Sequence, residues 1–237
     1  MHINLGRWTE DELDRIIRDA SALVGPGERV AFISEKFLGT AYQANTLIGG
    51  QSRPEEFVIN LSAMDCFTFL EYVEALRLSR SFPEFPDQLR RVRYRSGIVS
   101  FAARNHFFTD WAVHRKPFVQ DTAPHIGKVV SVSKTLNLKA DATHFLPGLD
   151  HVARTVSYMP VAALDEKVMK ALEAGDYAAV FSDSPGLDVS HAGIIIRKDR
   201  TLFFRHASSA DNIRKVVDQD LLDYMSGKPG LVVLRPV

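Results

Sequence analysis

The chain has 237 residues, enough for one substantial core, and its 46% hydrophobic and 24% charged residues describe an ordinary globular protein. Lys plus Arg and Asp plus Glu are balanced at 29 each with no basic block, which argues against nucleic acid as a partner. No apolar run approaches the roughly 20 residues that cross a bilayer, so stable membrane insertion is not expected, and the N-terminus lacks the basic and apolar regions of a signal peptide.

Thr9-Glu10-Asp11-Glu12 reads as a capping box, and Leu13, Ile16, Ile17, Ala20, Leu23 and Val24 follow at helical spacing until Gly25-Pro26 stops the helix. Glu28 to Leu38 predicts a second helix closed by Gly39. Asp65 to Ser79 predicts a third, with Cys66, Leu70, Val73 and Leu76 along one face. A short helix follows Pro86. Tyr94 to Val119 carries several large aromatics and fits no period, which suggests a buried or groove-lining loop region. Val129 to Leu136 alternates as a strand, Thr155 to Val161 is apolar, and Asp165 to Glu173 reads as a helix.

From Tyr177 onward the pattern is a run of strands: Tyr177–Phe181, His191–Arg197, Leu202–Ala207, Lys215–Val217 and Leu231–Arg235. Strands following helices predict an α+β fold with an antiparallel sheet, in a single domain over 1–237. The long span between Cys66 and His191 predicts an insertion around 83–175 that frames a groove.

Cys66 is the only cysteine, so it can form no internal disulfide, and it lacks the partners of a structural zinc site. It opens a helix, where unpaired N–H groups and the macrodipole favour a thiolate. A free cysteine can also pack as a small buried hydrophobe. The two alternatives make different predictions for alkylation: a low-pKa, accessible thiol reacts readily below pH 7, and a core thiol stays inert.

Two histidines bear on the choice. His191 and His206 stand on apolar segments separated by Lys198-Asp199-Arg200, a charged stretch suited to the turn of a β-hairpin. A turn centred between Lys198 and Asp199 sets the two histidines opposite each other. A turn centred one residue later sets His191 opposite Ser208, with His206 a diagonal neighbour on the same face. Only a three-residue loop separates the imidazoles onto opposite faces. A thiol nucleophile needs a base and a polar group that orients the base, and Cys66, His191 and His206 are the right three types. The Cys66 helix is expected to pack against the face that carries both imidazoles.

His125, His144 and His151 have no partner at metal-ligand spacing, so neither a metal nor another cofactor is expected. Ser182-Asp183-Ser184-Pro185-Gly186 reads as a turn, because the spacing of a serine nucleophile elbow is absent.

Asp65-Cys66 opening a helix, Ser190-His191-x-Gly193 opening a strand and a second histidine on the next strand resemble the NlpC-type cysteine hydrolases of bacterial cell walls. Phe37–Tyr42, Asn45–Gly49, Asp65–Glu71, Arg104–Trp111 and Arg205–Ser209 narrow the resemblance to the N-acetylmuramoyl-L-alanine amidase-like subfamily, over residues 30 to 235. Phe67-Thr68 departs from the Ser-Gly of the broader superfamily's commoner members.

The resemblance implies a papain-like, NlpC-type core and a Cys66–His191–His206 triad that cuts an amide of peptidoglycan or muropeptide fragments in the cell envelope or periplasm. It favours the bond between N-acetylmuramic acid and L-alanine; the alternative is a γ-D-glutamyl-diamino-acid endopeptidase. An acyltransferase and a non-catalytic binding module are lesser alternatives. It also places the Tyr42 hydroxyl near the oxyanion. Asp65 is expected to cap the Cys66 helix and is the remaining carboxylate beside the nucleophile. Tyr94, Asn105, His106 and Trp111 are the candidates for stacking and hydrogen bonding a sugar.

Overall fold

In the computed structural model, residues 2–113 and 118–237 are described. The chain begins with β1 (His2–Asn4), α1 (Glu10–Ser21) and α2 (Pro26–Glu35). The capping box at Thr9 forms as the sequence predicts, with the Thr9 hydroxyl accepting from the Glu12 N–H and the Glu12 carboxylate accepting from the Thr9 N–H. Short strands follow: β2 (Ala41–Tyr42), β3 (Ile48–Gly50), β4 (Arg53–Glu56), β5 (Val58–Asn60) and β6 (Ala63–Met64). None of these is long enough to show a period in the sequence. The pairing of β2 with β6 places Tyr42 opposite Met64, two residues before the cysteine.

Helix α3 (Cys66–Leu78) is capped by Asp65. One carboxylate oxygen of Asp65 accepts from the N–H groups of Phe67 and Thr68 at 3.0 and 2.8 Å, and Thr68 Oγ1 accepts from the Asp65 N–H at 2.9 Å. Where the sequence suggests one buried face, the structure buries every residue from Thr68 to Arg77. Helix α4 (Phe85–Arg93) packs beside it and closes one side.

The second half builds the main sheet. Its elements are β7 (Val119–Asp121), α5 (Ala123–Ile126), β8 (Val130–Leu136), β9 (Val152–Pro160), α6 (Glu166–Ala171), β10 (Tyr177–Phe181), β11 (Val189–Lys198), β12 (Thr201–Ala207), β13 (Val216–Asp220), α7 (Leu221–Met225) and β14 (Gly230–Pro236). The strand order is β13-β12-β11-β10-β14-β9-β8, with β7 also on β14, and every pairing is antiparallel. The region 83–175 therefore supplies three strands of this sheet as well as α4, α5 and α6. Among the described residues no helix is long and apolar enough to cross a membrane.

Two hydrophobic layers cover opposite faces of the sheet. Ala192, Ile194, Ile196, Tyr177 and Ala179 pack with Phe69, Leu70 and Val73 of α3 and with the residues of α1 and α2. The alternate residues Ile195, Leu202, Phe204, Val180 and Val233 pack with Val168 of α6 and with Leu221 and Met225 of α7. Burial on both faces explains why β11 and β14 read as unbroken apolar runs.

The fully buried α3 carries two carboxylates into the core. Glu74 accepts from Arg77 at 2.6 and 2.8 Å and from the Tyr177 hydroxyl at 2.6 Å. Glu71 accepts from Arg93 Nε at 2.7 Å, and Arg93 Nη1 also donates to the Val58 carbonyl. Burial pushes both carboxyl groups up, and their arginine partners oppose the shift. Removing one member of such a pair strands the other charge, at a cost of roughly 3–5 kcal/mol. Arg93→Met is expected to destabilise the fold by about that much in urea denaturation, and Glu71→Leu in the same chain is expected to recover a large part of it.

Candidate active site

The register of β11 and β12 decides where the histidines go. Ile194 pairs with Arg205 and Lys198 with Thr201, so the turn is centred between Asp199 and Arg200. Of the two even-loop registers this is the one in which His191 faces Ser208 and His206 lies diagonally across. The imidazoles meet edge to face, with centroids 4.8 Å apart and His191 Nε2 2.8 Å from His206 Nδ1. His206 is 2% exposed and His191 half-buried.

The expectation that α3 packs against the face carrying the imidazoles is not met. The helix covers the face of Ala192, Ile194 and Ile196, while His191 and His206 alternate onto the other face, beside Phe204 and Tyr224. The thiol nevertheless reaches the imidazoles' surroundings, because β11 and β12 separate. Their ladder ends at Ile194–Arg205, so the strand openings at His191–Gly193 and His206–Ala207 are unpaired with one another. Ile195 donates and accepts toward the chain leading into β10, so by strand alternation the Ala192 N–H faces the β12 side. With no β12 partner there, that N–H is among the groups that favour the Cys66 thiolate, with the N–H groups of Cys66 and Phe67. The helix N-terminus is seated at the gap between the two strands.

Electrostatics set the protonation states. Burial, and then the neighbouring Asp65 charge, push the Cys66 thiol up to about 12, against the pull of the three N–H groups. Burial, then His206 and Lys228, push His191 down to about 3. Burial also lowers His206, while its bond to Gln219 opposes the change. The resting pair is therefore a neutral thiol beside a neutral imidazole. Desolvation exceeds the contribution of the N–H groups that favour a thiolate at the helix terminus.

Tyr42 and Tyr224 both register the charge of Cys66, which raises each phenol alongside the larger effect of burial. Tyr42 lies under the Arg214 guanidinium at 4.7 Å, and Tyr224 touches both imidazoles at 6.2 and 4.8 Å. Tyr224 thus belongs with the histidine pair at the cleft. It was missed in the sequence because α7 has only five residues. Its signals were Asp220, which caps the Leu222 and Asp223 N–H groups, and the closing Gly227. Gln219 was also missed, because the apolar strand signal stops at Val217.

Three residues expected to meet a sugar are corrected. Tyr94, Asn105 and Trp111 are each at most 1% exposed. The Tyr94 hydroxyl donates to Glu55 at 2.7 Å, Asn105 Nδ2 donates to the Val92 carbonyl at 2.8 Å, and Trp111 is ringed by Phe67, Phe118 and Tyr177. They anchor the stretch between α4 and β7; residues 114–117 of that stretch lie outside the described residues. His106 bonds the Phe101 carbonyl at 2.7 Å and lines a separate cleft with Arg95, Asp150 and Arg154. The cleft at the histidines holds about 630 Å³ and is lined by Ser190, Ser208, Ser209, Asn212, Tyr224 and Lys228, with no carboxylate. Among the described residues no group of three or more His, Cys, Asp or Glu side chains is placed to hold a metal ion.

A helix N-terminal thiol seated at the open end of a histidine-bearing hairpin, on an α+β scaffold, is the arrangement that known proteins can now be compared with. The chain belongs to the N-acetylmuramoyl-L-alanine amidase-like family, whose model matches residues 32–231. An N-acetylmuramoyl-L-alanine amidase from Bacteroides uniformis ATCC 8492 is 30% identical, with a TM-score of 0.75 over 89% of this chain and 98% of that one. A Bacteroides fragilis protein provisionally named a xylanase is 28% identical, with a TM-score of 0.70 over 86% and 98%. A protein of Legionella pneumophila str. Philadelphia 1 shares the fold at 21% identity, with a TM-score of 0.78 over 96% and 94%. No match was found among curated proteins.

Because Cys66 is the only cysteine, alkylation reads one site. With the thiol held high, the rate of iodoacetamide labelling of the native protein is expected to rise about tenfold per pH unit from 7 to 10. A plateau already reached below pH 7 would show a standing thiolate–imidazolium pair instead.

Proposed function

We propose that the chain is a cysteine hydrolase with a papain-like, NlpC-type core that cleaves the amide between N-acetylmuramic acid and L-alanine in peptidoglycan fragments. The observation that carries the reading is the His191–His206 contact at 2.8 Å, in a chain of an amidase-like family whose one cysteine opens α3. The choice of bond rests on that family and on the amidase name of the Bacteroides uniformis relative. The sugar-stacking argument from Tyr94, Asn105 and Trp111 no longer contributes. The xylanase name finds no support at this cleft, since glycoside hydrolysis ordinarily uses a pair of carboxylates and none lines it.

In the proposed reaction the substrate carbonyl enters the gap at the head of α3. The sulfur attacks the carbonyl carbon as its proton passes to His191. A neutral imidazole is the form that can accept, and burial keeps it in that form across neutral pH. The Cys66 N–H, first in its helix and without a helical acceptor, donates to the oxyanion. Such a donor is worth about 3 kcal/mol in related sites. Tyr42 pairs with Met64, two residues before Cys66. The imidazolium then returns the proton to the amide nitrogen, the C–N bond breaks and the stem peptide leaves as its free amine. Water, deprotonated by His191, hydrolyses the thioester and frees the sugar's lactyl carboxylate. His206 holds His191 in place throughout.

Cys66→Ala is expected to abolish turnover of defined muropeptides with the fold intact, and full activity in that variant would sink the mechanism. Mass spectrometry of wild-type digests identifies the bond. Free muramyl sugar plus intact stem peptide is expected, whereas a sugar-bearing dipeptide would assign the γ-D-glutamyl endopeptidase reaction.

A further inference from the structure

The hydrogen bonds of the histidine pair continue one residue further than a triad. His206 Nε2 is 2.7 Å from Gln219 Oε1. Sheet geometry makes this contact: Gln219 pairs with Phe204, two residues before His206, so it lies on the same face as the imidazoles and diagonal to His206. His191, His206 and Gln219 thus form a diagonal row across β11, β12 and β13.

The row has a direction. A glutamine carbonyl oxygen can only accept, so His206 must carry its proton on Nε2. His206 Nδ1 then holds a lone pair, and the 2.8 Å contact requires His191 to donate from Nε2. A neutral His191 protonated on Nε2 has a bare Nδ1, which among the described residues has no other hydrogen-bond partner. If the glutamine amide nitrogen faced His206 instead, each proton would move to the other nitrogen, and His191 would present an N–H where a base is needed.

We infer that Gln219 is a positioning residue that sets the tautomers of both histidines, leaving His191 Nδ1 as the atom that takes the Cys66 proton. The inference rests on the reading of Cys66 as nucleophile and His191 as base. Gln219 exerts its effect through two imidazoles, from its place in the lining of the same cleft. Tyr224 and Phe204 pack against the His206 ring, with centroids 4.8 and 5.1 Å from it.

Nitrogen-15 histidine NMR tests the tautomers without any turnover, on the Cys66→Ala protein at neutral pH. The expected spectrum shows both histidines protonated at Nε2. Gln219→Met, which removes the acceptor, is expected to mix the tautomers and to lower kcat on the order of 10- to 100-fold with KM little changed; forcing the wrong tautomer on a catalytic histidine costs far more in serine proteases. Gln219→Glu restores an acceptor and is expected to recover most of the loss. It also moves the acid limb of kcat/KM to higher pH, because a carboxylate stabilises the imidazolium. The charged and titratable groups facing the pair are Asp218, Lys228 and Tyr224, and all are unchanged in these variants. A wild-type His191 protonated on Nδ1 would overturn the assignment. So would a Gln219→Met protein with unaltered tautomers, whatever its KM. If the substrate reading fails and no muropeptide is cut, the NMR result still decides the role of Gln219.

Discussion

The site depends on how closely the head of α3 can approach the opening between β11 and β12. Two small side chains permit it. Ala192, opposite Ala179, puts only a methyl group beneath the helix terminus. Gly193 solves the same problem on the other face: a Cβ there would fall 2.7 Å from the Phe204 ring and 2.6 Å from the Arg205 carbonyl. Phe204 can therefore lie flat over the strand and stack on His206 at 26°. Read this way, Ser190-His191-Ala192-Gly193 is a packing motif as much as a catalytic one. The histidine needs a small neighbour on one face for the thiol and another on its own face for the ring beneath the imidazoles.

That approach is made rigid by buried charge. Helix α3 is enclosed on all sides, and Glu71 ties it to Arg93 and Glu74 to Tyr177. A helix held only by apolar contacts could slide along a sheet at little cost, since apolar packing is non-directional. Hydrogen bonds of 2.7 Å from Arg93 on α4 and 2.6 Å from Tyr177 on β10 fix both its translation and its rotation. Asp65 then fixes the first turn, so the position of the sulfur follows from the position of the helix.

What the sequence could reveal followed from periodicity and local chemistry. The Thr9 capping box, the Asp65 cap and the five late strands were legible because each is written in adjacent residues. So was the shared face of His191 and His206, because either even-loop turn produced it. The wrong face for α3 came from treating the hairpin as paired along its whole length. Alternation then left no route for a helix on the far side to reach an imidazole, and the opening of the ladder beyond Ile194 is a tertiary event that no local signal records. Tyr94, Asn105 and Trp111 failed for a related reason: polar and aromatic residues in an aperiodic stretch serve a groove or a core equally well, and only burial tells them apart.

The same opening explains why the thiol's electrostatics ran against its position. A helix terminus exposed to solvent would favour the thiolate, but here it is capped by a carboxylate and pressed into a strand gap, so the sulfur loses water faster than it gains donors. The imidazole beside it loses water too. Both shifts come from lost water and favour the neutral forms. The developing oxyanion of an amide carbonyl supplies the charge that the N–H groups at the helix head are arranged to meet. In the proposed reaction, proton transfer from Cys66 to His191 would then be coupled to substrate entry, forming the nucleophile where the acyl group is attacked.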